Sequence, residues 1–329
     1  GIVGVYDLYG KAGELAIKAA KGIQHRGQDG AGLFLKTKEG FNIHKDAGFV
    51  HEVFHNVEIP YADMAISHVR YGTQGASEKR KENQRNAGPL EIRIHNELRG
   101  AIGHNGDFVG AMPLLEQYNG RRRTDVDTEL FILRFEDSQE KNLTNRIRDA
   151  LQPIAKGAYS IVGIFDDVLF AFRDPLGVWP LVYGRTEKGT HIIASESQML
   201  KGCQYFRDIE PGMILLIDST GERKYEQLFE STRKAHCTFD NNYFSSPASR
   251  TNGISKEILR QRLGNIVACY IDKKPDIVVP VPDSGNSFGF SIAYHLGVRP
   301  VPGLLRDHYI GRNFIVEGDH QRLTMEKLQ

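Results

Sequence analysis

The chain opens on an unbroken apolar run, Gly1-Ile2-Val3-Gly4-Val5-Tyr6, the pattern of a short strand buried on both faces. Over residues 11–23, Leu15, Ala19 and Ile23 fall on one helical face, which predicts a helix. The polar, glycine-punctuated stretch from Gln24 to Gly30 predicts a turn, and the apolar runs Ala31–Leu35 and Met64–Tyr71 predict strands. Gly103-His104-Asn105-Gly106-Asp107 reads as a tight turn after an apolar stretch. Thr128–Phe135 reads as a helix, with Asp125 and Asp127 at its start, where carboxylates suit the helix dipole. Ser160–Phe165 and Val168–Phe172, joined by Asp166-Asp167, predict a hairpin, and His191–Ala194 and Met213–Ile217 predict further strands. This strand-rich part is satisfied by two stacked sheets flanked by helices.

The pattern changes over Thr232–Asn252, which is polar and irregular and marks a domain transition. Beyond it, Ser255–Tyr270 predicts a helix with Leu259, Leu263, Ile266, Val267 and Tyr270 on one stripe. Asp276–Pro282 predicts a buried strand, Asp283–Asn286 a loop, and Ser287–Leu296 a helix ended by Gly297. Strand, loop and helix in this order belong to α/β folds with parallel sheets. One such unit does not close a parallel sheet, so the natural chain is expected to continue past Gln329. An opening at Gly1 in place of Met likewise implies a residue ahead of it.

Composition changes the picture little. A chain of 329 residues suggests two domains, 40% hydrophobic and 25% charged residues are ordinary for a soluble globular protein, and a net charge of +1 directs it neither to nucleic acid nor to a membrane. No apolar run approaches the roughly 20 residues of a membrane span. Cys203, Cys237 and Cys269 lie far apart without a paired spacing, which suits neither a disulfide framework nor a structural zinc site and fits a reducing cytosol.

Five segments carry candidate chemistry. Arg70, at the end of a strand, offers a guanidinium that can clamp a carboxylate, or equally an edge-strand surface ion pair. Asn105 followed by Gly106 offers a side-chain amide and a backbone N–H together, the parts of an oxyanion hole, or a plain turn. Thr124–Glu129 sets carboxylates at a helix start, as caps or as holders of an ammonium group. Val278–Asn286 runs a strand into a small-residue loop and a helix N-terminus, a candidate anion site or a structural crossover. Arg306–Arg312 is basic and aromatic, a loop that covers an anion or a solvated segment.

Taken in order, these segments resemble the amidophosphoribosyltransferase family. Gly1–Gly4, Gln24–Asp29, His68–Tyr71, His104–Gly106, Arg173–Pro175, Ala194–Ser197, Tyr243-Phe244 with Pro247, Pro280–Gly285 and Tyr309–Ile315 carry the likeness, which spans essentially the whole chain. The resemblance implies an α+β protein: a four-layer αββα N-terminal-nucleophile glutaminase domain over residues 1–232, then an incomplete α/β type I phosphoribosyltransferase domain over residues 233–329. It implies glutamine-dependent formation of 5-phosphoribosylamine from phosphoribosyl pyrophosphate, the first step of de novo purine synthesis, in the cytoplasm. A nucleophilic cysteine is expected just before Gly1, with Asn105 and Gly106 as oxyanion hole. Arg70, Thr73 and Asp127 would bind glutamine. Ser284, Gly285, Asn286, Arg306, Tyr309 and Arg312 would bind phosphoribosyl pyrophosphate, with Mg2+ on its pyrophosphate and no metal held by the protein alone. Purine nucleotides would inhibit, and the protein would be a homo-oligomer.

Cys237 aligns with an iron–sulfur ligand of some members, but a cluster needs four ligands and a buried structural cysteine is favoured. The chain departs from the family at Trp179, where Arg is usual, at Gly88, where Gln is usual, and at Arg306, where Lys is usual. With no nucleophile in the chain, two rival readings stand: a catalytically dead paralogue that binds glutamine or nucleotide and regulates a partner, and a hydrolysing amidase using the first domain alone.

Overall fold

The structure, a computed structural model, describes residues 1–72 and 80–306. Thr73, Tyr309 and Arg312 lie outside the described residues. The chain divides into two compact units, Gly1–His236 and Cys237–Gln329.

In the first unit, β1 (Ile2–Tyr6) leads into helix α1 (Ala12–Gly22), the hairpin β2 (Gly30–Thr37) and β3 (Gly40–Asp46), the short helix α2 (Val50–Val53) and β4 (Met64–Arg70). Helix α3 (Arg80–Asn86), the hairpin β5 (Leu90–Ile94) and β6 (Glu97–Phe108), and helices α4 (Ala111–Leu115), α5 (Thr128–Asp137) and α6 (Leu143–Leu151) follow. The rest is β: β7 (Gly157–Phe165), β8 (Val168–Arg173), β9 (Val182–Thr186), β10 (His191–Ala194), β11 (Cys203–Asp208), β12 (Met213–Ile217) and β13 (Arg223–Gln227). A seven-stranded sheet runs β11-β9-β10-β1-β4-β2-β3, and a six-stranded sheet runs β13-β12-β8-β7-β6-β5.

Side-chain alternation along the strands sorts three apolar layers. Val3 and Val5 of β1 pack with Ala16 and Ala20 of α1 on the outer face of the first sheet. Ile2 and Tyr6 point the other way and meet Val162, Leu169 and Leu215 of the second sheet. Beyond that sheet, Phe131, Phe135 and Ile147 of α5 and α6 cover Ile161, Phe170 and Phe172. The layers therefore run α, β, β, α. The polar strands β3 and β13 belong to these sheets through backbone pairing, which their side-chain pattern does not announce.

Two elements differ from the sequence expectation. Gly103–Asp107 is no turn: it continues β6, in register with β7 from Gly103↔Val162 to Asp107↔Ala158. Backbone hydrogen bonding to a long neighbour outweighs the turn preference of Asn-Gly. The strand expected over Asp276–Pro282 shrinks to Ile277–Val278, and the following helix starts at Gly285, two residues earlier than the side-chain pattern suggests.

The second unit begins with a π-helical turn, Asp240–Phe244, and a small hairpin of β14 (Arg250–Thr251) and β15 (Ile254–Ser255). Helix α7 (Lys256–Ala268), β16 (Ile277–Val278), α8 (Gly285–Leu296) and β17 (Arg299–Pro300) follow, with β16 and β17 paired in parallel. Gly264 lets α7 approach α8 closely, since a Cβ there would stand 2.7 Å from the Phe288 carbonyl oxygen. Lys256 is buried against Asp240 at 3.4 Å. No described helix is long and apolar enough to cross a membrane.

The start of β1 is pinned by polar contacts. Glu196 Oε1 accepts from Arg26 Nε and meets His25 Nε2, each at 2.6 Å, and both Arg26 and Glu196 are fully buried. Next to them, Ile2 N–H donates to Ser195 Oγ at 2.9 Å and Ser195 N–H to the Ile2 carbonyl at 3.0 Å. Removing one partner of a buried ion pair strands the other, so Glu196→Ala should lower unfolding free energy by about 3–5 kcal/mol in urea titration. A change under about 1 kcal/mol would contradict this account of the pair. A second expectation concerns acid. Burial, with Arg185 and Arg223 nearby, pushes the His191 imidazole down to about 4. The neutral ring therefore favours the folded state above its ordinary pKa of about 6.5, and that contribution is lost as pH falls toward about 4. His191→Gln should lose less stability than the unsubstituted protein over that interval, and equal losses would refute it.

Candidate functional site

The ends of β4 and β6 converge beside the start of β1. In β4, Met64 and Ile66 face the inter-sheet core, so alternation carries His68 and Arg70 to the same face. The β1–β4 register pairs Ile2 with His68 and Val3 with Ser67, and Gly1 exchanges hydrogen bonds with Val69, 2.8 Å from its N to the Val69 carbonyl. From the facing sheet, a Cβ on Gly103 would lie 3.0 Å from Ile2 Cγ2 and 3.7 Å from His68 Cβ. Asn105, two residues further along β6, shares that face.

Three polar side-chain atoms around these strand ends lack partners among the described residues. Asn105 Nδ2, His68 Nδ1 and His104 Nε2 are buried with no hydrogen-bond partner among the described residues. Each such atom costs about 1–3 kcal/mol, and Asn105 Nδ2 and His68 Nδ1, on the inter-sheet side where β1 begins, mark a place built to receive a polar group, whereas alternation carries the His104 ring to the opposite face of β6, toward α5. Burial holds His68 well below the usual imidazole pKa, helped by the amino terminus, His104 and Arg70. His104 is also held down by burial, against the pull of Asp127 and Asp107. Its Nδ1 lies 2.7 Å from Thr128 Oγ1 and its ring stacks on Phe108, which fixes its orientation.

Gly106 has no substitute at its position. Its φ is +137°, and an added Cβ would stand 2.0 Å from the Ala158 carbonyl oxygen. The β5 pairing ends at Leu90↔Ile102, so this part of β6 has an open edge. On that edge the Phe108 N–H donates to Asp127 Oδ2 at 2.7 Å. Asp127 Oδ1 accepts from Thr128 N–H at 2.9 Å, which caps α5. One carboxylate thus joins β6 to α5 and keeps lone pairs for a further donor.

Arg70 is not an edge-strand surface arginine. Strand β4 lies between β1 and β2, and Arg70 is 3% exposed, with Nη1 donating to Asn83 Oδ1 at 3.3 Å. Arg70, Asn105, Gly106 and Asp127 are thus set on β4, β6 and the start of α5. The supports Arg26, Glu196, His68, Asn83 and Asn86 were not assigned roles by sequence reasoning. Arg26, His68 and Glu196 do lie within the family-like segments, whereas Asn83 and Asn86 carry no local signal, because their role rests on contacts distant in sequence.

In the second unit, Ser284 precedes α8 and its side chain makes no capping hydrogen bond. The expected exposed amides are partly engaged: Gly285 N–H donates to the Val281 carbonyl at 2.9 Å and Asn286 N–H to the Asp283 carbonyl at 3.3 Å, because the turn into the helix is tight. Arg306 reaches back to pair with Asp283. Cys237 is half-buried, not buried, and its Sγ accepts from the Asp240 N–H at 3.4 Å. Among the described residues, no three His, Cys, Asp or Glu gather to hold a metal ion.

Known proteins resemble this chain along most of its length. The glutamine amidotransferase domain family matches residues 81–202. Amidophosphoribosyltransferase 3 of Arabidopsis thaliana is 35% identical over 321 residues, covering 95% of this chain and 59% of the relative. Amidophosphoribosyltransferase of Methanothermobacter thermautotrophicus is 32% identical over 343 residues, covering all of this chain and 70% of the relative. The structure of the Bacillus subtilis glutamine phosphoribosylpyrophosphate amidotransferase, complexed with ADP and GMP, superposes with a TM-score of 0.84 at 30% identity, covering 98% of this chain and 70% of that one. The chain thus spans little more than half the length of the plant relative. Its two-unit α+β fold and its sequence place it in the amidophosphoribosyltransferase family.

Proposed function

We propose that this protein makes 5-phosphoribosylamine, glutamate and pyrophosphate from glutamine and phosphoribosyl pyrophosphate, the step that opens purine synthesis. The observation that carries the reading is Asn105 Nδ2, buried and with no hydrogen-bond partner among the described residues, on the face where β4 presents Arg70. A residue immediately before Gly1 that continued β1 would stand opposite Arg70, two steps back from the Ile2↔His68 pair, on that same face. A cysteine there is the nucleophile of the proposal.

Its thiolate attacks the glutamine side-chain carbonyl, and its own α-amine takes the thiol proton. Arg70 holds the substrate carboxylate and Asp127 its ammonium, and Thr73 is a further glutamine-binding residue. Asn105 Nδ2 and the Gly106 N–H receive the oxyanion, where fixed donors in a dry site act most strongly. The C–N bond breaks, ammonia leaves, and water releases glutamate from the thioester. Ammonia then attacks C1 of phosphoribosyl pyrophosphate and the C1–O bond to pyrophosphate breaks. Ser284, Gly285, Asn286, Arg306, Tyr309 and Arg312 bind that substrate. Mg2+ carried on the pyrophosphate would neutralise charge on that leaving group, a mode that asks few carboxylates of the protein. The loop offers one, Asp283, paired with Arg306. Purine nucleotides inhibit, as the ADP and GMP bound to the Bacillus subtilis relative suggest. The protein is a cytoplasmic homo-oligomer.

The natural protein, given both substrates, should release glutamate, pyrophosphate and phosphoribosylamine together. Glutamate alone would replace this reading with an amidase, and no product from either substrate would end it. Asn105→Ala should lower glutamine-dependent kcat by about 10²–10³-fold and leave the rate with ammonia unchanged. Arg70→Lys should raise the glutamine KM about ten-fold or more, because an ammonium lacks the bidentate fork. An unaltered KM would remove Arg70 from the clamp.

A further inference from the structure

Helix α3 has no apolar residue: its sequence is Arg-Lys-Glu-Asn-Gln-Arg-Asn. Seven polar residues neither form a stable helix alone nor anchor one by hydrophobic burial. Its inward positions are the amides Asn83 and Asn86, one turn apart and 9% and 3% exposed. Each makes a hydrogen bond toward the candidate site. Asn83 Oδ1 accepts from Arg70 Nη1 at 3.3 Å, and Asn86 Oδ1 accepts from the Asp125 N–H at 3.0 Å. Arg85 adds an ion pair to the Asp125 carboxylate. Asp125 lies two residues before Asp127. Behind the helix, Lys45 Nζ of β3 donates to the Ala87 carbonyl at 2.7 Å and to the Arg85 carbonyl at 3.4 Å, tying down the end of α3.

We infer that α3 is a shared brace that sets the spacing between the two charged groups gripping the amino-acid substrate, with Asn83 and Asn86 as its positioning residues. The inference rests on the reading of Arg70 and Asp127 as the carboxylate and ammonium clamps. The α-carboxylate and α-ammonium of an amino acid are a fixed distance apart, so two clamps on separate elements work only when their separation is held. Strand β4 carries one clamp and the approach to α5 the other. Among the described contacts, α3 is hydrogen-bonded to both sides: through Asn83 to Arg70 itself, and through Asn86 and Arg85 to the segment that leads to Asp127. Neither asparagine needs to touch the reacting amide.

The experiment compares Asn83→Ala, Asn86→Ala and Asn83→Asp in the natural protein, with glutamine and separately with ammonia as nitrogen donor. Each alanine variant should raise the glutamine KM about ten-fold, on the scale of one lost hydrogen bond to a charged or buried group. The kcat at saturating glutamine and the ammonia-dependent rate should stay within about two-fold, since the reacting groups are untouched. Asn83→Asp keeps the acceptor oxygen for Arg70 and should restore the KM. An unmoved KM in both alanine variants overturns the brace, as does a fall in the ammonia-dependent rate that parallels the glutamine loss. Should Asn86→Ala not fold, the Asn83→Ala and Asn83→Asp pair decides alone. If the unsubstituted protein consumes no glutamine, the underlying reading of the site falls, and that result is seen before any variant is made.

Discussion

Strand β1 is hydrogen-bonded along both edges, to β10 and to β4, and covered on both faces by apolar layers. A slip of one residue would turn Val3 and Val5 into the inter-sheet core and Ile2 and Tyr6 toward α1, so the burial pattern fixes the register. Because Ile2 stands opposite His68, that register also decides which side chains gather where β1 begins. The buried Arg26–Glu196 pair and the Ser195 bridge to Ile2 hold the same strand end from a third direction. The position of the candidate site is thus a consequence of core packing.

The site concentrates features that folding alone disfavours. Asn105 and His68 bury polar atoms with no hydrogen-bond partner among the described residues, and Gly106 takes a backbone conformation that only glycine adopts freely. Burial lowers the pKa of both His68 and His104, and the charged side chains that the proposed substrate clamp uses are Arg70 and Asp127. A positive group and a negative group at one pocket suit a zwitterion. This is the physical basis of the amino-acid substrate proposed above. The polar helix α3 belongs to the same economy: it contributes little to the core and much to the placement of charges.

Much of the first unit was legible because apolar runs and helical spacing are local signals. The strand Ile2–Tyr6, the helix over residues 11–23 and the hairpin around Asp166-Asp167 emerge from them, and two stacked sheets flanked by helices followed. Strands such as β3 and β13 were not legible, since their pairing is made by backbone groups and their exposed faces are polar. The turn read at Gly103–Asp107 shows the converse: local preference for Asn-Gly gave way to pairing with β7. The site residues were named from ordered motifs, whereas the burial of Arg70 and the bracing by Asn83 and Asn86 depend on contacts across the fold. In the second unit, the small-residue loop before α8 was legible, but its amide hydrogen bonds were not.

The proposed mechanism places a cysteine before Gly1, beside Arg70 and Asn105, as the group that attacks glutamine. It is tested most directly by treating the natural protein with a glutamine analogue that bears a thiol-reactive electrophile at the amide position, then mapping the adduct by peptide mass spectrometry. The account predicts one adduct, on the residue immediately before Gly1, suppressed by glutamine and coincident with loss of glutamine-dependent activity. An adduct on Cys203, Cys237 or Cys269 that tracks the loss of activity, or full loss with the residue before Gly1 unlabelled, would contradict it.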